Sequence, residues 1–140
     1  MSAAASYLNE LEGLTHVARQ RCLVELGRAS IDDSEAQALL NEFSASPNAY
    51  VRSLVVTSLY GSRDVSRALE LLQDRSRLVR RRTAGLACLI CDDAQAALAL
   101  ARCTTVRARI QLAHALRRRY DHSCRTHPCR GVSPAVRRAG

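Results

Sequence analysis

A dipeptide that comes back constrains this chain more than any other feature. Val-Arg occurs as Val51-Arg52, Val79-Arg80 and Val106-Arg107, in steps of 28 and 27 residues, and Ala18-Arg19 fills the equivalent place 33 residues before the first of them. Self-similarity at a period of about 20–50 residues marks architectures in which one small unit is stacked on the next. Each pair opens an apolar run. The runs are Val51, Val55, Leu59; Val79, Thr83, Leu86, Ile90; and Val106, Ile110, Ala113, Leu116, with a weaker one at Ala18, Cys22, Leu26. Steps of three and four residues place each run on one face of a helix.

A shorter helix precedes each run, with spans Ser6 to Leu11, Ser34 to Phe43, Val65 to Gln73 and Ala94 to Arg102. Asp32-Asp33, Asp64 and Asp92-Asp93 stand where a side-chain oxygen can accept from the unpaired N–H groups of a helix start, and their charge suits the helix dipole. Gly13, the Ser44–Asn48 stretch around Pro47, and Gly61-Ser62 read as the breaks between helices. The apolar residues are mainly Ala, Leu and Val; aromatics make up 4% of the chain and Trp is absent. Ala and Leu lose little freedom in a helix, and small Ala side chains let helices approach closely. No segment alternates as a half-buried strand does. The expectation is an all-α chain of eight helices in four antiparallel pairs.

At this point the residues resemble a family. Ser46-Pro47-Asn48-Ala49-Tyr50-Val51-Arg52 and Asp74-Arg75-Ser76-Arg77-Leu78-Val79-Arg80 look like the turn and second-helix start of HEAT repeats, in particular the short HEAT-like repeats of phycobilisome lyases. The resemblance covers roughly residues 4–119. It implies a right-handed α-solenoid in which adjacent pairs bury each other's apolar faces. It also implies a polar ladder between repeats, built from a turn Asp and an Arg six positions later; Asp74 and Arg80 match that spacing. Ser46, Ala101 and Gly13 stand before the other arginines, so the ladder pattern is incomplete. The domain expected is residues 1–119, followed by a disordered basic tail at 120–140 that leaves the last pair without a polar cap.

The formal charge is +8, and every basic residue is Arg. Residues 1–60 hold four Arg against seven acids, whereas residues 61–140 hold 17 Arg against six. Arg77 and Arg81 are four apart on one helix face, with Arg80 beside them; Arg107 and Arg109 open the next long helix. If the repeats stack, these five form a stripe. Arg forks match phosphate oxygens, which points to nucleic-acid backbone. A solvated helix face explains the same residues, and no aromatics are interleaved for base stacking.

Cys88-Leu89-Ile90-Cys91 spells a C-x-x-C inside a helix, where buried packing thiols fit better than redox chemistry. In the tail, His122, Cys124, His127 and Cys129 are chemically able to hold zinc, although their spacing matches no zinc module; the alternative is an unstructured tail. His16 and His114 have no nucleophile or acid placed for a triad. No cofactor is implied. No stretch approaches the roughly 20 apolar residues of a membrane helix, and the N-terminus lacks a basic signal region, which suggests an intracellular protein, cytoplasmic or nuclear.

Three functions follow as expectations. The leading one is a non-enzymatic scaffold or adaptor that binds a protein partner on a curved helical surface. The alternative is nucleic-acid binding through the Arg stripe. The third is a repeat enzyme such as a chromophore lyase, on family analogy alone. The register has a direct consequence. Leu86→Asp buries an unpaired charge and should destabilise the fold by at least about 3 kcal/mol; an unchanged circular-dichroism melting curve would show the register to be wrong.

Overall fold

The computed structural model describes residues 1–103 and 105–126. Among them the chain forms eight helices and no strand: α1 (Ala3–Glu12), α2 (His16–Ala29), α3 (Ser34–Ala45), α4 (Ala49–Ser62), α5 (Val65–Leu71), α6 (Arg77–Ile90), α7 (Asp93–Arg102) and α8 (Val106–Thr126). Most starts are fixed by a side chain. Asp33 accepts from the amides of Glu35 and Ala36, and Asp64 accepts from that of Arg67. Asp92 forms a reciprocal capping box with Gln95. Each supplies an acceptor to amides that the helix leaves unpaired.

Helices pack in a regular order. Each odd-numbered helix lies against the even-numbered one that follows it, and the even helices also pack in sequence, α2 on α4, α4 on α6 and α6 on α8. Their buried side chains form three successive clusters. Leu11, Leu23 and Leu54 make the first. Phe43, Val55, Val56, Leu59, Leu71, Val79 and Leu86 dominate the second. The third is built from Ala84, Ala87, Cys88, Cys91, Ala96, Ala99, Cys103, Ala108 and Ala115 around Leu72 and Leu112. Cys88 and Cys91 therefore sit in the core as packing residues would, although Cys91 ends α6 instead of lying inside it.

The tightest approach is between α2 and α4, and two glycines permit it. A Cβ at Gly27 would stand 1.8 Å from the carbonyl oxygen of Ser58, and one at Gly61 would stand 2.0 Å from that of Val24. Gly61 is thus not a break between helices. It lies inside the last turn of α4, which closes at Arg63 in the left-handed region, φ 53°. Backbone proximity across the interface, not turn geometry, explains the glycine.

The fourth run is out of register with the expectation. Val106 and Ile110 are 73% and 51% exposed, and Ala113 is exposed as well. Ala108, Leu112 and Ala115 are buried instead. The helix begins at Val106, with the Thr105 hydroxyl capping the Ala108 amide at 3.2 Å. Ala108-Arg109 therefore takes the place that Val51-Arg52 and Val79-Arg80 hold in α4 and α6, and Val106-Arg107 is a coincidental dipeptide at the first two helical positions. The helix also continues past the apolar periodicity, through 120–126, before the described residues end.

The glycine contact makes a sharp prediction. Gly27→Ala and Gly61→Ala each force α2 and α4 apart against main-chain atoms that cannot give way. Each should lower stability by about 2 kcal/mol or more in urea denaturation, although Ala is the better helix former. A neutral or stabilising effect would contradict the α2–α4 packing.

Candidate functional site

Two groups of arginines must be told apart, because one holds the fold and the other faces outward. The first group is set by position. Arg19, Arg52, Arg80 and Arg109 are each the fourth residue of an even helix. Each folds back onto a carbonyl of the preceding helix end or turn. Arg52 Nη1 donates to the Ser46 and Pro47 carbonyls at 2.8 and 3.0 Å, and Arg109 Nε donates to that of Cys103 at 2.8 Å. Arg80 Nη1 donates to the Asp74 carbonyl, and Arg19 Nε to that of Leu11 at 3.1 Å. Apart from the Leu11 carbonyl, which also accepts from the Leu14 amide at 3.2 Å, these acceptors lie at helix ends and turns where no helical amide pairs with them.

Arg52 does more. Its Nε and Nη2 donate to the two carboxylate oxygens of Asp74 at 2.8 and 3.1 Å, joining α4 to the turn before α6. Both side chains are largely buried, at 7% and 9% exposure. A bidentate fork of this kind is among the stronger polar contacts available. Burial works to raise the pKa of Asp74, but the hydrogen bonds from Arg52 and the Ser76 amide, with the charges of Arg52 and Arg75, outweigh it and hold the carboxyl below its ordinary value. The same contact raises the Arg52 pKa.

The side chains of Asp74 and Arg80 do not pair with each other. Asp74 directs its carboxylate to Arg52 of α4, and offers Arg80 only its main-chain carbonyl. Arg80 is 8% exposed, and its Nε has no partner among the described residues. The Arg52–Asp74 pair is 22 residues apart and joins α4 to the turn before α6, so no local spacing in the sequence marks it.

Of the five arginines expected to form one stripe, Arg80 is therefore a buried structural residue and Arg109 is tied to its turn. The other three divide. Arg77 and Arg107 flank a groove with Val106, Ile110 and Gln111. Arg81 lines a separate groove that crosses all four even helices. To it α2 contributes His16 and Gln20, α4 contributes Val56, Thr57 and Tyr60, α6 contributes Leu78, Arg81, Arg82 and Gly85, and α8 contributes Arg118. None of these lining residues is acidic.

Charge in fact sorts by layer more sharply than by chain half. The even helices α2, α4, α6 and α8 carry three, one, four and six arginines, 14 in all, against Glu25 and Asp121. The odd helices carry Glu10, Glu12, Glu35, Glu42, Glu70 and Asp93 against Arg67 and Arg102. This pattern lay in the sequence, but only correct helix parity reveals it.

Titratable groups elsewhere look structural. The Tyr7 hydroxyl donates to the Cys22 carbonyl at 3.3 Å, and burial, with Cys22 and Glu10 nearby, pushes its pKa up to about 12. Burial also raises the Cys103 thiol, against the opposing charge of Arg109. Among the described residues no cluster of His, Cys, Asp and Glu is placed to hold a metal ion. His127 and Cys129 lie outside the described residues, as do the side chains of His122 and Cys124. No described helix is long and apolar enough to cross a membrane. The chain matches no family model, no curated protein and no solved structure.

The Arg52–Asp74 contact sets an acid limb on stability. A depressed folded-state pKa contributes stability that is present above the ordinary carboxylate value of about 3.9 and is lost as pH falls through the lower folded value. Urea midpoints of the wild type should therefore fall on acidification below about pH 4, and those of Asp74→Asn should fall less steeply from a lower neutral value. Removing Arg52 as Arg52→Ala should cost about 3 kcal/mol at pH 7, because it strands a buried carboxylate. Parallel acid limbs for wild type and Asp74→Asn would contradict this role.

Proposed function

We propose that the chain is a non-enzymatic interaction module: a short HEAT-like array, a right-handed α-solenoid of four antiparallel pairs, that presents its even helices to an anionic protein partner. The array reading is supported by the sequential packing of α2, α4, α6 and α8, by the three successive core clusters, and by the arginine that returns at the same position of each even helix. Nearest-neighbour burial of this kind is how a stacked array is stabilised. The observation that carries the partner reading is the sorting of charge by layer. Besides the four arginines tied to turns, the even helices carry ten more against two acids, and these give the even layer a field that attracts anions and speeds their encounter.

A second reading, a nucleic-acid backbone, is favoured by the groove between Arg77 and Arg107, where two guanidinium forks flank one cleft. Against it stand the exposed apolar side chains that share each groove with the arginines, Tyr60 and Leu78 in one and Val106 and Ile110 in the other, which a row of phosphates would leave uncovered.

Exposed arginines can be reversed without touching the turns. A variant carrying Arg81→Glu, Arg107→Glu and Arg118→Glu should keep its helical spectrum. Immobilised wild type should retain a stoichiometric protein from native lysate that is released by salt and is indifferent to nuclease; the triple variant should retain at least tenfold less. Equal capture by the two would contradict the even layer as the partner face, and capture abolished by nuclease would favour the nucleic-acid reading.

A further inference from the structure

Gly85 is not accounted for by folding. It lies in the interior of α6, where glycine is disfavoured against alanine because its backbone has more freedom to lose. Gly27 and Gly61 are explained by the main chain that a Cβ would strike. At Gly85 a Cβ would meet nothing within 4 Å. The absent side chain therefore opens space outside the chain instead of permitting a contact within it.

That space opens into the groove across the even helices, which Gly85 lines. Leu78 and Arg81 lie seven and four residues before Gly85, on the same face of α6. Val56 and Tyr60 of α4 stand beside them, and Arg118 of α8 closes the other side. Tyr60 and Leu78 are 45% and 44% exposed, so apolar surface is left uncovered next to guanidinium groups.

We propose that this groove holds an acidic peptide segment of the partner protein, with an apolar side chain seated over Gly85 against Tyr60 and Leu78, and flanking carboxylates on Arg81 and Arg118. The proposal rests on the reading of the even layer as the partner face and names what that face recognises. Guanidinium forks match carboxylates in pairs. The open space beside Tyr60 and Leu78 adds a requirement that charge alone does not: one side chain of about leucine size between the acids. A phosphate backbone has no such group, so the combination selects a peptide over a nucleic acid.

A fluorescein-labelled peptide of repeating Glu-Glu-Leu-Glu units tests it, with an all-Glu peptide and oligothymidylate as controls, by anisotropy on the full chain at low salt. The wild type should bind the leucine-containing peptide about tenfold more tightly than either control, the gain expected from burying one leucine. Gly85→Leu fills that space and should weaken that peptide about tenfold, with a melting temperature no lower than the wild type's. Gly85→Ala should raise the melting temperature by roughly 3 °C and weaken the peptide less. Arg81→Glu with Arg118→Glu should abolish binding. If Gly85→Leu binds as the wild type does, or if all-Glu peptide or oligothymidylate binds equally well, charge alone is read; this inference then fails while the anionic-face reading stands. If the arginine variant also binds normally, both fail. If sedimentation shows wild-type self-association that Gly85→Leu removes, the occupant is a second copy of the chain and the proposal is overturned.

Discussion

The arrangement depends on an arginine at the fourth position of each even helix, folded back onto the chain that precedes it. A turn between two antiparallel helices leaves carbonyls unpaired, and burying them unsatisfied costs about 1–3 kcal/mol each. One guanidinium carries five donors in a rigid fork. Arg52 uses this to satisfy the Ser46 and Pro47 carbonyls and to hold both oxygens of Asp74. Arg75 adds a donor to the same Pro47 carbonyl at 3.3 Å. The α3–α4 and α5–α6 turns are thereby fixed to each other. A lysine, with one compact ammonium, could not span the same set of acceptors.

Around this polar edge the core falls into three clusters linked by half-buried side chains, Tyr7 and Leu8 between the first and second and Ile90 between the second and third. Each cluster draws chiefly on neighbouring pairs, and the side chains shrink along the chain. Leucines fill the first cluster, whereas alanines and cysteines dominate the last. Small residues bring helices together, and at α2–α4 the approach is so close that two glycines face main chain across the interface. The polar groups inside helices are mostly self-satisfied: Ser58 and Thr83 donate to the carbonyls of Val55 and Val79 at 2.6 and 2.7 Å.

What the sequence made legible follows from which signals are local. The helix starts at Asp33, Asp64 and Asp92 were readable because a cap acts within three residues. The face of α6 was readable because Val79, Thr83 and Leu86 are buried at helical spacing. The fourth register was not, since Val106-Arg107 mimics the motif while Ala108-Arg109 occupies its place, and small alanines give a weaker periodic signal than Val and Ile. Gly61 was misread because a glycine at a close helix contact and a glycine at a break look alike without the partner helix. The Arg52–Asp74 pair, 22 residues apart, depends on which turns become neighbours. The same holds for the surface. Counting charge by chain half hid the layer that holds 14 of the arginines, and only the packing order separates Arg80, which is buried, from Arg81 beside it, which is exposed.

Chemically identical side chains thus divide the labour: some arginines complete turns, and others stand exposed around a groove that they share with Tyr60 and Leu78. Arginine-selective modification with a dicarbonyl reagent, read residue by residue by mass spectrometry on the native chain, tests that division directly. Arg52 and Arg80, at 5% and 8% exposure, should react at least about tenfold more slowly than Arg77, Arg81, Arg107 and Arg118, and should match them only after unfolding. Uniform reactivity across the native chain, or fast modification of Arg52, would contradict the account.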